Sequence, residues 1–303
     1  MAVNLAQIQS LLKPGLMSIT GKYKDYPAVW KSLFATRKSN MQTEQSVSMR
    51  YLGLPTVKAD GGPTTFDNNA GQRYTYNFQN LEIALAYAIT RQAIEDNLYK
   101  AQFPAMQLGL QKSFLQFKEI QGANVFNTGT TYNPAVGGDG VALFSTAHPI
   151  DGATVANTPT TQVDLNEASL LNAQITIRST FKDNAGLLQN IMAKKLVIPP
   201  YLEPVAIRLI KTELRPGTSD NDVNAIPIAA GGIKEYVVDP FFTSSYAWFV
   251  LTDVDGLIHL DRMPFEGDTF PDFTTDNLLV KARERYCFGY EDWRAAWGSF
   301  PTS

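Results

Sequence analysis

Two histidines and a serine are the residues of this chain whose types could carry catalysis. His148 and His259 are its only histidines, and neither has a cysteine or carboxylate at a spacing typical of metal ligands. Ser145 is too close to His148 in sequence to indicate a nucleophile and its general base, and no Gly-x-Ser-x-Gly motif surrounds it. We therefore predict that both histidines are hydrogen-bonded structural residues, and we expect no catalytic residue, no metal site and no cofactor.

Two further motifs could bind ions or nucleic acid. Residues 253–256 imitate the opening of a calcium-binding loop, but the later ligand positions and the final glutamate are absent, which favours a simple turn. The sequence contains no phosphate-binding loop and no dinucleotide fingerprint. Lys281, Arg283 and Arg285 alternate along one predicted strand, where they could face nucleic acid, pair with acids of a neighbouring strand or be solvated.

Composition excludes several classes of protein. Lysine and arginine total 26 against 29 acidic residues, so the net charge of -3 does not indicate a basic polyelectrolyte binder. The single cysteine, Cys287, excludes an internal disulfide framework and fits a reducing compartment. Neither a membrane-spanning apolar run nor a signal peptide is evident, so we expect cytoplasmic synthesis and no membrane partner. The length of 303 residues predicts two subdomains.

The chemistry-bearing residues must be positioned by larger elements, of which a helical region over residues 90–126 is the longest. Apolar residues recur at helical spacing on one side of it and lie also on the opposite side, so it has apolar surface to bury on two sides. The first side carries Phe103, Met106, Leu110, Phe114 and Phe117, and the second carries Leu108 and Leu115. Pro104 predicts a division into a short helix, residues 91–100, and a longer helix that begins at the proline.

The region before this helix predicts a projecting hairpin. Two extended pieces, residues 46–57 and 72–78, flank a polar segment rich in glycine, asparagine and aspartate. A loop of this size in a compact chain is usually functional when its flanks are ordered. Residues 81–89 then alternate apolar and small or polar side chains, which predicts a strand that leads directly into the helix and packs against it.

The first 45 residues predict an arm. A short amphipathic pattern in residues 5–12 is too small to fold alone, and residues 21–39 spread aromatic side chains among basic ones without strong periodicity. Such a segment either lies on another molecule or folds back on its own domain.

The second half alternates helices and strands. A helix with Asn166 as its N-cap should end near Gly186, and a strand follows at residues 194–198. A further helix over residues 202–215, with Lys211 and Arg215 in its last turn, should stop at Pro216 and Gly217. Three strands follow within residues 235–263, the last two joined as a hairpin by Asp255 and Gly256. A final strand over residues 278–288 precedes an aromatic end, including Phe300, that we expect to be docked.

Six pieces of the sequence, taken together and in this order, resemble the major capsid proteins of tailed bacteriophages. The resemblance is to the Mu-type major head subunit group, which has the Hong-Kong-97 phage fold. The pieces are ANVFN after the long helix, GDGVALFSTAHP, KKLVIPPYLEPVAIRLI, SDNDVNAIP, YVVDPFF with AWFVL, and YCFGYEDWRAAWGS. They span from about residue 45 onward, and the combination is specific although each piece alone is weak.

The resemblance implies a fold of class α+β with four parts. Residues 1–45 would form the N-terminal arm and residues 46–80 the extended E-loop hairpin. Residues 81–135 and 271–303 would form the peripheral P-domain, which contains the long helix. Residues 136–270 would form the axial A-domain, which meets other copies around the symmetry axes of a shell.

The resemblance also implies a structural protein that assembles with itself as pentamers and hexamers around packaged double-stranded DNA. The expected location is the virion, and the expected place of assembly is the host bacterial cytoplasm. Further expected partners are a separate scaffolding protein, a portal and a decoration protein. The residues that we predict as assembly contacts are Trp30, Phe34, Arg37, Lys58, Asp60, Phe66, Arg73, Trp293 and Trp297. Those predicted to face DNA are Lys281, Arg283 and Arg285.

Two other functions stay open at this stage. The same fold could form an encapsulin-like cellular compartment, which would enclose an enzyme instead of DNA. A hydrolase that uses Ser145 and His148 is the third hypothesis, from a different class of protein.

Overall fold

The computed structural model describes residues 28–95, 99–212, 223–229 and 231–302, without the side chains of residue 94 and residues 99–105. The predicted pattern in residues 5–12 and the stop signal at Pro216 lie outside this range. The strands are β1 (Ala35–Lys38), β2 (Thr43–Arg50), β3 (Gly71–Gln79), β4 (Leu81–Ile89), β5 (His148–Ile150), β6 (Ala153–Val155), β7 (Ala193–Ile198), β8 (Glu235–Val238), β9 (Trp248–Thr252), β10 (Leu257–Pro271), β11 (Leu278–Tyr290) and β12 (Ala296–Ser299). The α-helices are α1 (Arg91–Glu95), α2 (Tyr99–Asn127), α3 (Glu167–Thr180), α4 (Glu203–Ile210) and α5 (Ala225–Ile228).

The first sheet has the strand order β1-β10-β11-β4 and supports the long helix α2. β1 runs parallel to β10, and the other neighbours are antiparallel. Leu110 and Phe114 of α2 pack against Ile83 and Tyr87 of β4, as the alternation of β4 predicts. The Tyr87 hydroxyl also donates to Gln107 on α2 at 3.2 Å. Strand and helix therefore form one layered unit.

The predicted division of the helical region at Pro104 is wrong. The short helix α1 ends at Glu95, and α2 begins at Tyr99, so that Pro104 lies inside α2. A proline removes the N–H that would bond four residues back, which interrupts a helix most in its middle and least near its start. Pro104 is the sixth residue of α2, so its missing N–H removes one helical bond in the second turn, and the helix continues through it.

The second sheet has the order β12-β9-β7-β8. Asn166 caps α3 as predicted: its side chain accepts from the Ser169 N–H at 2.9 Å, and the Ser169 hydroxyl accepts from the Asn166 N–H. The helix ends at Thr180 and not near Gly186, because Phe181 already has an extended backbone and its ring is buried.

The predicted hairpin at Asp255 and Gly256 is also wrong. β9 is fully buried between β7 and β12, whereas β10 pairs with β1 and β11, so the turn connects two sheets. Gly256 fits this crossing because a Cβ there would lie 2.4 Å from the Asp292 carbonyl oxygen. Its own carbonyl accepts from the Glu291 N–H at 2.8 Å. The hairpin of this region is instead β10 with β11.

The sheets do not follow the predicted domain boundary at residues 270 and 271. β10, predicted as part of the A-domain, lies in the first sheet, and β12, predicted as part of the P-domain, completes the second. One hydrophobic core cluster extends from Trp30 and Phe288 of the first unit to Phe249 and Trp297 of the second. The two sheets are therefore interleaved in sequence and share a core, and the predicted division into a P-domain and an A-domain stays a prediction.

Candidate assembly surfaces

The predicted hairpin is present and projects a long loop. β2 and β3 pair antiparallel from Thr43 and Gln79 to Arg50 and Gly71, and residues 51–70, the hairpin loop, connect them. Large apolar side chains in this loop face solvent with exposed fractions of 64–100%: Tyr51, Leu52, Leu54, Val57 and Phe66. Exposed apolar side chains concentrated in one projecting segment are typical of an interaction site.

The other end of the hairpin is anchored in the subunit. Phe78 and Tyr76 of β3 are buried against Ile258, Leu260 and Cys287. Burial raises the pKa of the Cys287 thiol to about 12, so this cysteine is protonated and unreactive at neutral pH. The base of the hairpin is thus packed against the subunit, while its loop is exposed to solvent.

A second apolar surface runs along α2. Leu110 and Phe114 are buried against the sheet, whereas Met106 is 49%, Leu108 36% and Phe117 38% exposed. Of the seven residues of the predicted stripe and its opposite side, six have described side chains, and three of these six remain exposed to solvent. The two-sided apolar helix predicted from sequence is half covered within the subunit.

Four aromatic residues that we predicted as assembly contacts lie in the core of the subunit itself. Trp30, Phe34, Trp293 and Trp297 are only 4–6% exposed. Trp30 packs between His259 and Phe288, with ring centroids 4.3 and 5.5 Å away. The apolar character of these four side chains predicts that they are buried, and they are. The residues that cover them belong to the same chain, so these side chains are not available to a neighbouring subunit.

The described part of the arm folds back on its own domain, which was the alternative interpretation. The carboxylate of Glu119 on α2 accepts from the N–H groups of Val29 and Trp30 at 3.0 and 3.1 Å. Burial raises the pKa of Glu119 above its ordinary value. Sequence reasoning missed this contact because 89 residues separate Trp30 from Glu119.

The other predicted contacts differ in accessibility. Lys58 and Asp60 are exposed, and Phe66 is 85% exposed, all on the hairpin loop. Arg37 forms an ion pair with Glu291 at 2.8 Å, and the half-buried Arg73 donates to the Asn184 carbonyl at 2.7 Å. The three loop residues are free for a partner subunit, while both arginines are engaged within the chain.

The basic triplet shares one face of β11 as predicted, but acids accompany it. Lys281 and Arg283 are exposed and Arg285 is half-buried. In the strand register Asp268 faces Lys281, Glu266 faces Arg283 and Glu82 faces Arg285. The Arg283–Glu266 ion pair measures 3.6 Å. Since residues directly opposite in antiparallel strands share a face, this surface is charge-balanced.

His148 is a buried structural residue, as predicted. Its Nδ1 lies 2.9 Å from Asp139 Oδ2 and its Nε2 lies 3.1 Å from Asn157 Oδ1, while its ring stacks on Trp293 at 4.3 Å. Both nitrogens are therefore occupied, and Ser145 Oγ accepts instead from the Ala147 N–H. No base is available to this serine among the described contacts, which removes the basis of the hydrolase hypothesis.

Asn157 is the member of this network that sequence reasoning missed. Its amide donates to the carbonyls of Leu143 and Ala296 at 2.7 and 3.1 Å, and its Oδ1 accepts from the Ser145 N–H. It thereby ties the segment around His148 to β12. No local motif marks Asn157, so its role could be found only from the fold.

His259 differs from the prediction that both histidines are hydrogen-bonded. It is buried among Trp30, Tyr286 and Phe288, and neither ring nitrogen has a hydrogen-bond partner among the described residues. Burial, with the charges of Lys118 and Lys31, lowers the pKa of His259 to about 3. The neutral imidazole therefore serves as an aromatic core residue.

The same described residues offer neither a metal-binding cluster nor a membrane-spanning helix. They contain no cluster of three or more histidine, cysteine or acidic side chains that could hold a metal ion. No helix among them is both long and apolar enough to cross a membrane.

The projecting loop, the long helix and the two sheets define a class of protein, the shell-forming capsid subunits. A family model for phage capsid proteins matches residues 78–298, so the chain belongs to that family. No curated protein sequence matches the chain significantly. The Mu-type subgroup stays a prediction.

Solved structures show the same fold. The procapsid subunit of bacteriophage JBD30 is 15% identical, with a TM-score of 0.53, over 99% of this chain and 76% of that one. The mature capsid of bacteriophage PhiM1 gives 10% identity and a TM-score of 0.57 over 90% and 86%. A virus-like particle from Pyrococcus furiosus gives 9% and 0.53 over 94% and 98%. The protein is a major capsid protein of the Hong-Kong-97 phage fold, a structural component of a phage virion.

Proposed function

We propose that this subunit forms pentamers and hexamers that close into an icosahedral shell around packaged double-stranded DNA. Its role is structural throughout, with no reaction and no cofactor. One observation carries the proposal: the hairpin loop presents five large apolar side chains to solvent at the end of an anchored hairpin. Copies of one chain that bind head to tail through such a loop close into rings when the rotation between them permits.

The proposal includes partners besides the subunit itself. A separate scaffolding protein would guide closure, a portal would occupy one vertex, and a decoration protein would bind the finished surface. DNA would be held by sequence-independent contacts to its phosphates. Of the predicted contact residues, Lys58, Asp60 and Phe66 lie on the exposed loop and fit a role between subunits, together with the uncovered side of α2.

Deleting residues 60–71 tests the proposal. The deletion should abolish shells while leaving a folded monomer, because the buried base of the hairpin at Tyr76 and Phe78 stays in place. Negative-stain electron microscopy after size exclusion detects shells, and circular dichroism detects the fold.

A variant in which a glycine-serine linker of equal length replaces residues 60–71 is the control for chain length. It should fail to form shells as the deletion does, since it lacks Asp60, Phe66 and the other natural side chains of residues 60–71. Intact shells from the deletion variant would refute the proposed role of the hairpin.

An encapsulin-like compartment is the second candidate, favoured by the likeness to the virus-like particle from Pyrococcus furiosus. The fold is common to both functions, so the contents of the particle decide between them. Particles purified from the natural host and extracted for nucleic acid should yield double-stranded DNA if the shell is viral. An enclosed enzyme without DNA would support the compartment instead.

A further inference from the structure

Arg50 joins the hairpin loop to the body of the subunit. Its guanidinium group donates from Nε to Asp151 at 3.0 Å, with a second contact of 2.8 Å from Nη2, and from Nη1 to Asp67 at 3.1 Å. Asp151 belongs to the turn between β5 and β6 of the body, whereas Asp67 belongs to the loop. The Arg50 side chain is only 11% exposed. One half-buried cation at the end of β2 thus binds both the hairpin loop and the body of the subunit.

The loop side of this joint is organised around Asp67. Its carboxylate accepts from the backbone N–H groups of Gly53 and Asn69 at 2.8 and 2.9 Å. These two bonds, with the bond from Arg50, lower the pKa of Asp67 to about 2. The carboxylate is therefore ionised at all ordinary pH values, and it draws the two ends of the loop together beside Arg50.

The body side contributes uncharged groups to the hydrogen bonds that hold the two strands. The Asn184 amide donates to Ser48 Oγ at 2.6 Å and to the Met49 carbonyl at 3.0 Å, and the Tyr74 hydroxyl donates to the Pro149 carbonyl at 2.9 Å. These contacts fix β2 and β3 against two body loops. They stop where the strands end, and the Arg50–Asp151 bond then carries the attachment into the loop.

The geometry points to Arg50 and Asp151 as positioning residues of shell assembly. They fix the direction in which the hairpin loop projects, and so they select the part of a second copy of the chain that its apolar side chains reach. The inference rests on the proposed function, in which this loop contacts a neighbouring subunit. A loop of this length could point in many directions, but a closed shell of one size needs one repeated rotation between copies.

Asp151→Asn tests the inference, because it removes the charge that binds the body while leaving Arg50 bonded to Asp67. The subunit should keep its fold and its urea midpoint, since a partly exposed ion pair contributes little to stability. Amide hydrogen exchange in residues 51–70 should become faster, and assembled particles should lose their single size in electron micrographs. Asp151→Glu retains the charge and should restore one size.

Glu235→Gln is the matched control. It removes the Lys195–Glu235 ion pair of 3.5 Å between β7 and β8, which does not touch the hairpin, and it should leave particle size unchanged. Asp151→Asn particles of one natural size would overturn the inference, whether or not loop exchange rises. The loop contact on which the inference rests fails separately: it is refuted if the variant lacking residues 60–71 still forms shells.

Discussion

The two histidines show how one residue type is used in two opposite ways inside this subunit. Both are almost completely buried. Two side chains satisfy the nitrogens of His148, whereas His259 is surrounded by aromatic rings and the described residues offer its nitrogens no bond. Because an unsatisfied buried polar atom costs about 1–3 kcal/mol, the two positions should respond oppositely to the same substitution.

Replacing His259 with phenylalanine should stabilise the subunit, most strongly at acid pH. Burial lowers the pKa of His259 to about 3 from an ordinary 6.5, so between these values only the unfolded chain holds a proton on this side chain. The natural chain therefore loses about 1.4 kcal/mol of stability for each unit by which the pH falls through this window. Urea unfolding at about pH 7 and about pH 5 measures the difference; equal pH dependence in both proteins would contradict the assignment.

His148→Phe is the matched control and should destabilise the subunit already at neutral pH. It keeps the stacking surface for Trp293 but leaves Asp139 Oδ2 without its nitrogen partner and deprives Asn157 of one bond. A loss of about 1–3 kcal/mol is expected for each polar group left unsatisfied. Both variants introduce the same phenylalanine ring, so the difference between their stabilities reports the hydrogen bonds of His148 and not the size of the ring.

At the scale of elements, α2 divides its apolar residues between the fold and the surface. Phe114 is 2% exposed, stacks edge-on against Phe265 at 5.2 Å and lies over β4, whereas Phe117 is 38% exposed. The two phenylalanines lie within one turn of each other. Substitutions at the two positions can therefore distinguish an effect on the stability of the subunit from an effect on its assembly.

Phe114→Ala should destabilise the monomer by about 3–5 kcal/mol, because it leaves a cavity between α2 and the first sheet. Phe117→Ala should change monomer stability by less than about 0.5 kcal/mol and instead weaken assembly. Denaturation of the monomer and size exclusion of the assembled material give the two results. A Phe117→Ala variant that assembles like the natural chain would show that this side of α2 faces solvent in the shell.

Local pattern predicted the elements whose signals are contained within them. The alternation of β4 and the cap at Asn166 needed no knowledge of distant residues, and both are confirmed. The turn at Asp255 and Gly256 was real, but the hairpin inferred from it was wrong. A turn fixes only a local change of direction. Whether β9 and β10 pair with each other depends on the other strands available to them, and here β7 pairs with β9 while β11 pairs with β10.

At the scale of the whole molecule, sequence could predict which residues are buried but not which chain covers them. Trp30 and Trp293 have the composition of an interface, and only the three-dimensional path of the chain places them in their own core. The Arg50–Asp151 bond was missed for the same reason, since 101 residues separate its partners. Both errors concern contacts between distant segments, which periodicity and spacing do not encode.

The basic triplet makes a prediction about the assembled particle. Changing Lys281, Arg283 and Arg285 together to glutamine should lower DNA retention and leave shell formation intact, if this face contacts packaged DNA. Phosphate contacts are independent of sequence and weaken with salt, so the difference between the natural and the variant particles should be largest at low salt and shrink as salt is raised. The measurement is the DNA content of purified particles over a range of salt concentrations.

A charge-matched variant provides the control. Lys38, Lys112 and Lys194 are exposed on three other elements, and their combined change to glutamine removes the same charge. Equal DNA retention by the two triple variants would mean that net charge, and not the face of β11, determines retention. Undiminished retention in the first variant would indicate that the accompanying acids Glu82, Glu266 and Asp268 already neutralise this face.

The interleaving of the two sheets has a consequence for the order of synthesis. β12 completes the second sheet beside β9, yet the whole β10–β11 hairpin of the first sheet is translated between them. Asn157 lies much earlier in the chain, and its hydrogen bond to the Ala296 carbonyl can form only after Ala296 has been translated. The second sheet therefore cannot close until every strand of the first has been translated. We expect a subunit to become able to join a shell only after both sheets are complete, which would keep partly translated chains out of the growing particle.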